Sequence, residues 1–373
     1  MVLSRRSGRR RVVASATVLR TPRPSSRLLH ASGLGLVALL ALWVGVFAGG
    51  GEGRPWPVLL LLAGLVLATA AGRALAVRPG LVPKLVAVGV AGSLVLTWPG
   101  VLSAGGAPLG YANANATLSS LGLIAALAAA RTEHDSTGRR GWMGLAGCLG
   151  ALTVATGSVA GVLALAVALV LLGLSALTRW AGFAVAGGLV AVSLTLGVTT
   201  AVALGSDIGG LGERAEVRGE LWSAAADFAR DEPVTGIGPG RFADRTLVSN
   251  DADLRWAHHG YLQLAAELGL VGFVLVAALA GWVWASLWAA SAHQPVGASL
   301  ASAAVTVVGL HAAVDYVWHL PPVLVVLCVL CGGNFAPEEQ SRRSPADVDE
   351  DVLEGGGHSS GIDLRASAVL RRR

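Results

Sequence analysis

Two imidazoles in succession, His258 and His259, stand in the stretch LRWAHHGYLQLAAELG (254–269), where a polar segment gives way to a long apolar one. A neutral imidazole near pH 7 can take a proton from a hydroxyl, and it can equally serve as no more than a helix cap. Upstream, RGELWSAAADFARDEP (218–233) spaces Leu221, Ala225 and Phe228 at i, i+4 and i+7, the pattern of an amphipathic helix ending before Pro233. Arg218 precedes Leu221 by three residues and Trp222 by four, so its guanidinium is expected on the side of that helix facing the lipid boundary. There it either meets a phosphate at headgroup depth or snorkels as an anchor.

Other polar residues in apolar surroundings admit two readings each. Asn113 and Asn115 in GYANANATLSS (110–120) either bind substrate or bridge neighbouring helices. In HAAVDYVWHLPP (311–322), Asp315 shares a helical side with His311, and an ionisable side chain at a span commonly lines a cavity. The blander reading there is a helix end closed by Pro321 and Pro322. The glycines of TGIGPGRF (235–242) form a tight turn instead of a phosphate loop, because no buried strand precedes them and no GK[ST] follows. Zinc is a competing use for His258, His259, His311, His319 and Asp315. Adjacent histidines diverge on a helix, however, and no HxxxH pair accompanies them, so no metal is assigned. Cys148, Cys328 and Cys331 read as small core hydrophobes.

The elements that must hold these residues are membrane helices. The chain is 54% hydrophobic and only 14% charged, a composition that indicates a polytopic integral membrane protein. The predicted class is all-α: a helical bundle of about ten transmembrane helices with one large extracytoplasmic loop. Residues 1–30 hold eight arginines and no acidic residue, which predicts a disordered basic cytoplasmic arm. Helices 1–7 are expected within 31–204, the loop at 205–258, helices 8–10 at 259–333, and a disordered cytoplasmic tail at 334–373. Arg73, Arg78, Lys84, Arg131, Arg139, Arg140 and Arg179 fall between alternate apolar runs, so those connections face the cytoplasm. Arginines at both ends of 141–177 require two short helices there, since one pass would leave a basic cluster outside. Both termini are then cytoplasmic, and the net charge of +5 serves orientation, with no nucleic acid implied.

Three segments, in order, resemble the O-antigen ligase and O-antigen polymerase superfamily of envelope glycan enzymes. GYANANA (110–116) is similar to the family's asparagine-containing helix start, and RGELWSAAADFARDEPVTGIGPGRF (218–242) to its outer-loop signature of Arg, Trp and a Gly-rich turn. AHHGYLQLAAELGLVG (257–272) resembles its His-Asn, Leu and Glu-Leu-Gly signature. The resemblance spans roughly 110–330. It implies transfer of a glycan from a polyprenyl-pyrophosphate donor to a glycan or lipid acceptor hydroxyl at the outer face of the cytoplasmic membrane, without a nucleotide sugar, cofactor or metal. It places His258 as the base and Arg218 as the pyrophosphate-holding arginine. Further donor or glycan contacts are expected among His259, Arg241, Arg245, Arg255, Asn113, Asn115 and Asp315. Two departures stand out: His259 occupies the place of the usual asparagine, and Val159 in GSVAG (157–161) occupies that of an arginine. A transporter or flippase for a lipid-linked glycan and a non-catalytic envelope-assembly scaffold are the other readings the bundle allows.

Overall fold

In hydrocarbon a chain must satisfy its backbone polar groups within each segment, so the apolar runs fold as helices. The computed structural model describes residues 26–48, 53–78, 80–97, 108–178, 180–205, 213–246 and 255–334, and no strand occurs among them. The first half comprises α1 (Ser26–Leu42), continued by a π turn over Trp43–Phe47, then α2 (Pro55–Leu75), α3 (Leu81–Leu96), α4 (Ala112–Thr132), α5 (Ser136–Ala155) and α6 (Val159–Thr178). The second comprises α7 (Ala181–Gly205), α8 (Glu213–Asp231), the single turn α9 (Phe242–Arg245), α10 (Gly260–Ala290), α11 (Pro295–Ala312), a 3-10 turn at Val317–His319, and α12 (Pro321–Gly332).

Among the described residues, six helices are long and apolar enough to cross a membrane: α1 with its π turn, α2, α4, α6, α10 and α11. Three shorter apolar helices accompany them, at Leu81–Leu96, Ala181–Leu196 and Pro321–Gly332. The stretch 141–177 does divide, with α5 and α6 meeting at Gly157, whose φ of +73° suits a residue without a Cβ. Of the expected basic arm, residues 26–30 are the start of α1, and 1–25 lie outside the described residues. The expected tail beyond Asn334 and Arg179 also lie outside them.

Long and short apolar helices taken together alternate in direction along the chain, so that α2, α4, α6 and α10 run the same way. One end of the bundle gathers basic residues from the connections α2–α3 and α4–α5, where Lys84 Nζ meets Glu133 Oε2 at 2.8 Å and Arg73 contacts His30. The other end gathers Tyr111, Ser158, His258 and His311. Between them, α4 and α11 run through the centre, with Leu121, Ile124 and Ala125 of α4 packed in one apolar cluster with Leu149, Ala168, Ala304, Val307 and Val323.

The described part of the polar segment between α7 and α10, residues 213–246 and 255–259, is a built unit. Leu221 and Ala225 of α8 are fully buried against Phe242, Ala257, Leu262 and Ala266. This corrects the expectation that this face of α8 meets lipid: its stripe docks on protein, because the glycine turn and α10 offer a complementary apolar surface. The turn itself is held by α10, which breaks at Gly269 (φ 65°, ψ −174°). The break frees backbone groups that the turn then satisfies: Leu270 N–H donates to Pro233 O (2.8 Å), Ile237 N–H to Ala266 O (2.9 Å) and Gly238 N–H to Glu267 O (3.0 Å). A Cβ at Gly269 would run into the Val234 carbonyl, so the glycine is required twice over. The carboxylate of Glu267 completes the latch by accepting from Gly240 N–H (3.0 Å) and Phe242 N–H (3.2 Å).

Candidate functional site

Asp315 is the hub of the polar end. It follows α11 directly and is fully buried. Four donors converge on its carboxylate: Tyr111 Oη at 2.6 Å, Tyr316 N–H at 2.7 Å, Asn113 Nδ2, and His258, whose Nδ1 stands 3.4 Å from Oδ1. Burial works against ionisation, but the hydrogen bonds from His258 and Tyr111 and the nearby imidazoles outweigh it and hold the carboxyl below its usual range. Burial first, and then the Asp315 charge, pushes the Tyr111 phenol above its ordinary value, so it stays a donor. Asn113 also donates to Tyr111 Oη at 2.9 Å. The start of α4, the end of α11 and the start of α10 are thus tied together, with Gly260 N–H donating to the Asp315 carbonyl (3.0 Å).

This geometry separates the two adjacent histidines. His258 has φ 48°, the one non-glycine residue with positive φ among the described residues, and such a left-handed conformation costs about 1–3 kcal/mol. The strained backbone turns its Nδ1 toward Asp315 and toward Tyr111 Oη at 3.5 Å. Because the phenol proton already goes to Asp315, both neighbours are acceptors. The ring proton therefore sits on Nδ1, leaving Nε2 with a lone pair. His259 is the N-cap of α10, and its Nδ1 accepts from Leu262 N–H at 3.3 Å. Its proton consequently sits on Nε2, and burial lowers its pKa to about 4, so it is a neutral donor at physiological pH.

A third imidazole lies deeper. His311, near the end of α11, contacts Thr117 Oγ1 through Nδ1 at 2.6 Å, while the Thr117 hydroxyl donates to Asn113 O (2.9 Å). With that proton engaged, His311 Nδ1–H is the donor and Nε2 is a bare acceptor, buried without a partner. Arg218 of α8 is close enough to His311 to interact with it electrostatically. Gly161 completes this wall: a Cβ there would sit 2.6 Å from Ala116 Cβ and 3.3 Å from His311 Cε1. Beside it, Ser158 is buried and caps α6 by accepting from Gly161 N–H at 3.0 Å.

Among the residues singled out by sequence, His258, Asp315 and Asn113 come together, His259 abuts them, and Arg218 approaches from α8. Asn115 stands apart, with Oδ1 accepting from Leu109 N–H (3.3 Å), which fixes the chain entering α4. Arg241 caps α9, Arg245 ends it, and Arg255 is exposed beside Trp256. Sequence reasoning missed Tyr111, Thr117 and the Glu267 latch, although Glu267 and Gly269 lie inside a quoted motif. His319 packs on Trp256 (ring centroids 4.5 Å apart), away from His311. No group of three or more metal-ligating side chains is assembled among the described residues. Cys148 is exposed, Cys328 half-buried and Cys331 buried, so the expectation of core cysteines fails at Cys148, which lies on an outward face of α5.

Residues 144–277 match the family described as O-antigen ligase. The matched stretch holds α6, α7, α8 and α9 entire and the first half of α10, and with them Arg218, His258 and His259. Tyr111, Asn113 and Asp315 lie outside it and join it only in space. No curated protein matches the chain in sequence.

Proposed function

From an O-antigen ligase domain at residues 144–277 as the premise, we propose that the protein is a membrane glycosyltransferase. It takes a glycan from a polyprenyl-pyrophosphate donor and joins it to an acceptor hydroxyl, by ligation or by polymerisation. About ten helices cross the cytoplasmic membrane, the basic end faces the cytoplasm with both termini, and the histidine end faces out. No metal or cofactor takes part.

The observation that carries this reading is the His258–Asp315 pair, with Nδ1 3.4 Å from Oδ1, which puts the ring proton on Nδ1 and makes Nε2 the basic nitrogen. In the transfer step the acceptor hydroxyl gives its proton to Nε2 while its oxygen bonds to the anomeric carbon of the donor sugar. The bond from that carbon to the pyrophosphate oxygen breaks, and the polyprenyl pyrophosphate leaves with the electron pair. Asp315 stabilises the imidazolium that forms, and Arg218 stabilises the charge on the leaving group. His311 has its Nδ1 on the Thr117 hydroxyl, whereas His258 Nδ1 faces the Asp315 carboxylate directly at 3.4 Å, the partner that best supports an imidazolium, so the base is assigned to His258.

The test is transfer from a lipid-pyrophosphate glycan pool in reconstituted membranes at matched protein levels. His258→Ala is expected to lower kcat by about 10²–10⁴ and Arg218→Ala to lower kcat by about 10²–10³. Full transfer by both variants overturns the assignment, and loss in His311→Ala with retention in His258→Ala moves the base to His311.

A further inference from the structure

The seam between α8 and α10 holds two N–H groups that nothing in the proposed step uses. Trp222 Nε1 and His259 Nε2 are both buried without a hydrogen-bond partner, and their rings meet edge to face with centroids 5.4 Å apart. Indole nitrogen is a donor only, and His259 Nε2 carries the ring proton because Nδ1 is occupied by Leu262 N–H. Arg218 stands one turn before Trp222 on the same helix, with no carboxylate partner among the described residues. Two buried neutral donors and a guanidinium thus line one seam. Orphaned donors are costly, and clustered ones call for a ligand that brings several oxygen lone pairs. A sugar hydroxyl answers poorly, since it arrives with a proton of its own to place among donors. A phosphate arrives with acceptors only.

We infer that Trp222 Nε1–H and His259 Nε2–H are phosphate-oxygen donors that, with Arg218, hold the pyrophosphate of the lipid-linked donor. The inference rests on the glycosyltransferase reading of Arg218 and assigns two further binding residues to that site. It also bears on the histidine that stands at the place of the usual asparagine. An imidazole at 259 reproduces an asparagine, with Nδ1 capping the helix as a carbonyl oxygen would and Nε2–H donating as an amide N–H would.

The experiment is a binding titration of the full chain in phosphatidylcholine nanodiscs with polyprenyl pyrophosphate, paired with transfer kinetics. Trp222→Phe keeps most of the ring and removes the N–H. His259→Leu removes cap and donor, and His259→Asn restores both. Trp222→Phe and His259→Leu are each expected to weaken pyrophosphate binding by about 10-fold and to raise KM for the donor, with kcat at saturation and its pH profile kept. His259→Asn is expected to regain most of the affinity lost in His259→Leu, which a purely steric role for the imidazole would not produce. Unchanged affinity in Trp222→Phe and His259→Leu, with Arg218→Ala weakened, overturns the inference and leaves the Arg218 reading standing. Unchanged affinity in Arg218→Ala as well removes the site itself. Equal weakening toward nanodiscs doped with phosphatidylglycerol in place of pyrophosphate assigns the seam to a lipid headgroup and overturns the donor assignment.

Discussion

The centre and the rim of the bundle obey opposite compositional rules. Of the windows that qualify as spans, those of α4 and α11 are 78% buried, whereas those of α1 and α2 are 17% and 11% buried. Yet α4 and α11 are the least apolar of the six. In water the most apolar helix goes inside; between lipid tails that are themselves apolar, the interior selects small residues and hydroxyls that pack closely and bond locally. Hence Thr117, Ser119 and Ser120 of α4 donate to carbonyls four residues back at 2.7–2.9 Å, as do Ser302 and Thr306 of α11 at 2.7–2.8 Å. Thr153 of α5 then donates to Ser119 Oγ at 3.1 Å. The two central helices bring Asn113 and Asp315 to one point, where the segment leading into the more exposed α10 adds His258.

The sharpest way to break this contrast is Asp315→Asn, which keeps the shape of the hub and removes its charge. Transfer kcat is expected to fall about 10²–10⁴, because His258 loses both its tautomer and the counter-charge for its imidazolium. A change under threefold would detach the centre from the chemistry. Next in size is a pH effect at His259, whose pKa burial lowers from the ordinary imidazole value of about 6.5 to about 4. A depressed folded value means that stability is fully present above pH 6.5 and is lost as pH falls through about 4, by up to about 3 kcal/mol. Thermal unfolding in detergent from pH 7.5 to 4 should show that slope, and His259→Asn should reduce it, with His319, likewise lowered to about 4 by burial, keeping a share.

Smaller effects separate centre from rim directly. Gly161→Val forces a branched side chain against Ala116 and the His311 ring, and is expected to cost about 1–3 kcal/mol of stability while displacing α6. Gly64→Val on α2 meets nothing within 4 Å, and its effect should stay within about 0.5 kcal/mol. Equal losses in melting experiments on the two variants would mean that the packing contrast carries no energetic weight.

Much of the fold was legible because helix-forming signals are local. The apolar runs and the amphipathic spacing of α8 each follow from a window of residues, and the division of 141–177 from the arginines at its two ends. Parts of the site were legible for the same reason, as His258 and Arg218 occupy short motifs. Trp222 and Glu267 lay inside those motifs without announcing roles, since a motif names residues and not the atoms they face. The orientation of α8 was misread because an apolar stripe looks the same whether it meets lipid or Phe242 and Leu262.

By itself, then, the sequence determined an all-helical membrane class, the alternation of basic connections, and a histidine pair at the start of a helix. Composition, period and charge placement act over a few turns, so they can be read without knowing what lies opposite. Tertiary structure decided which nitrogen of each imidazole carries the proton, because that choice depends on what each Nδ1 meets. For His259 the partner is three residues away, at Leu262, and the nitrogen is used up as a cap. For His258 it is Asp315, itself bonded by Tyr111 from 204 residues earlier in the chain. Proton positions on a ring follow from neighbours in space, and only packing of α4 against α11 and α10 supplies those neighbours.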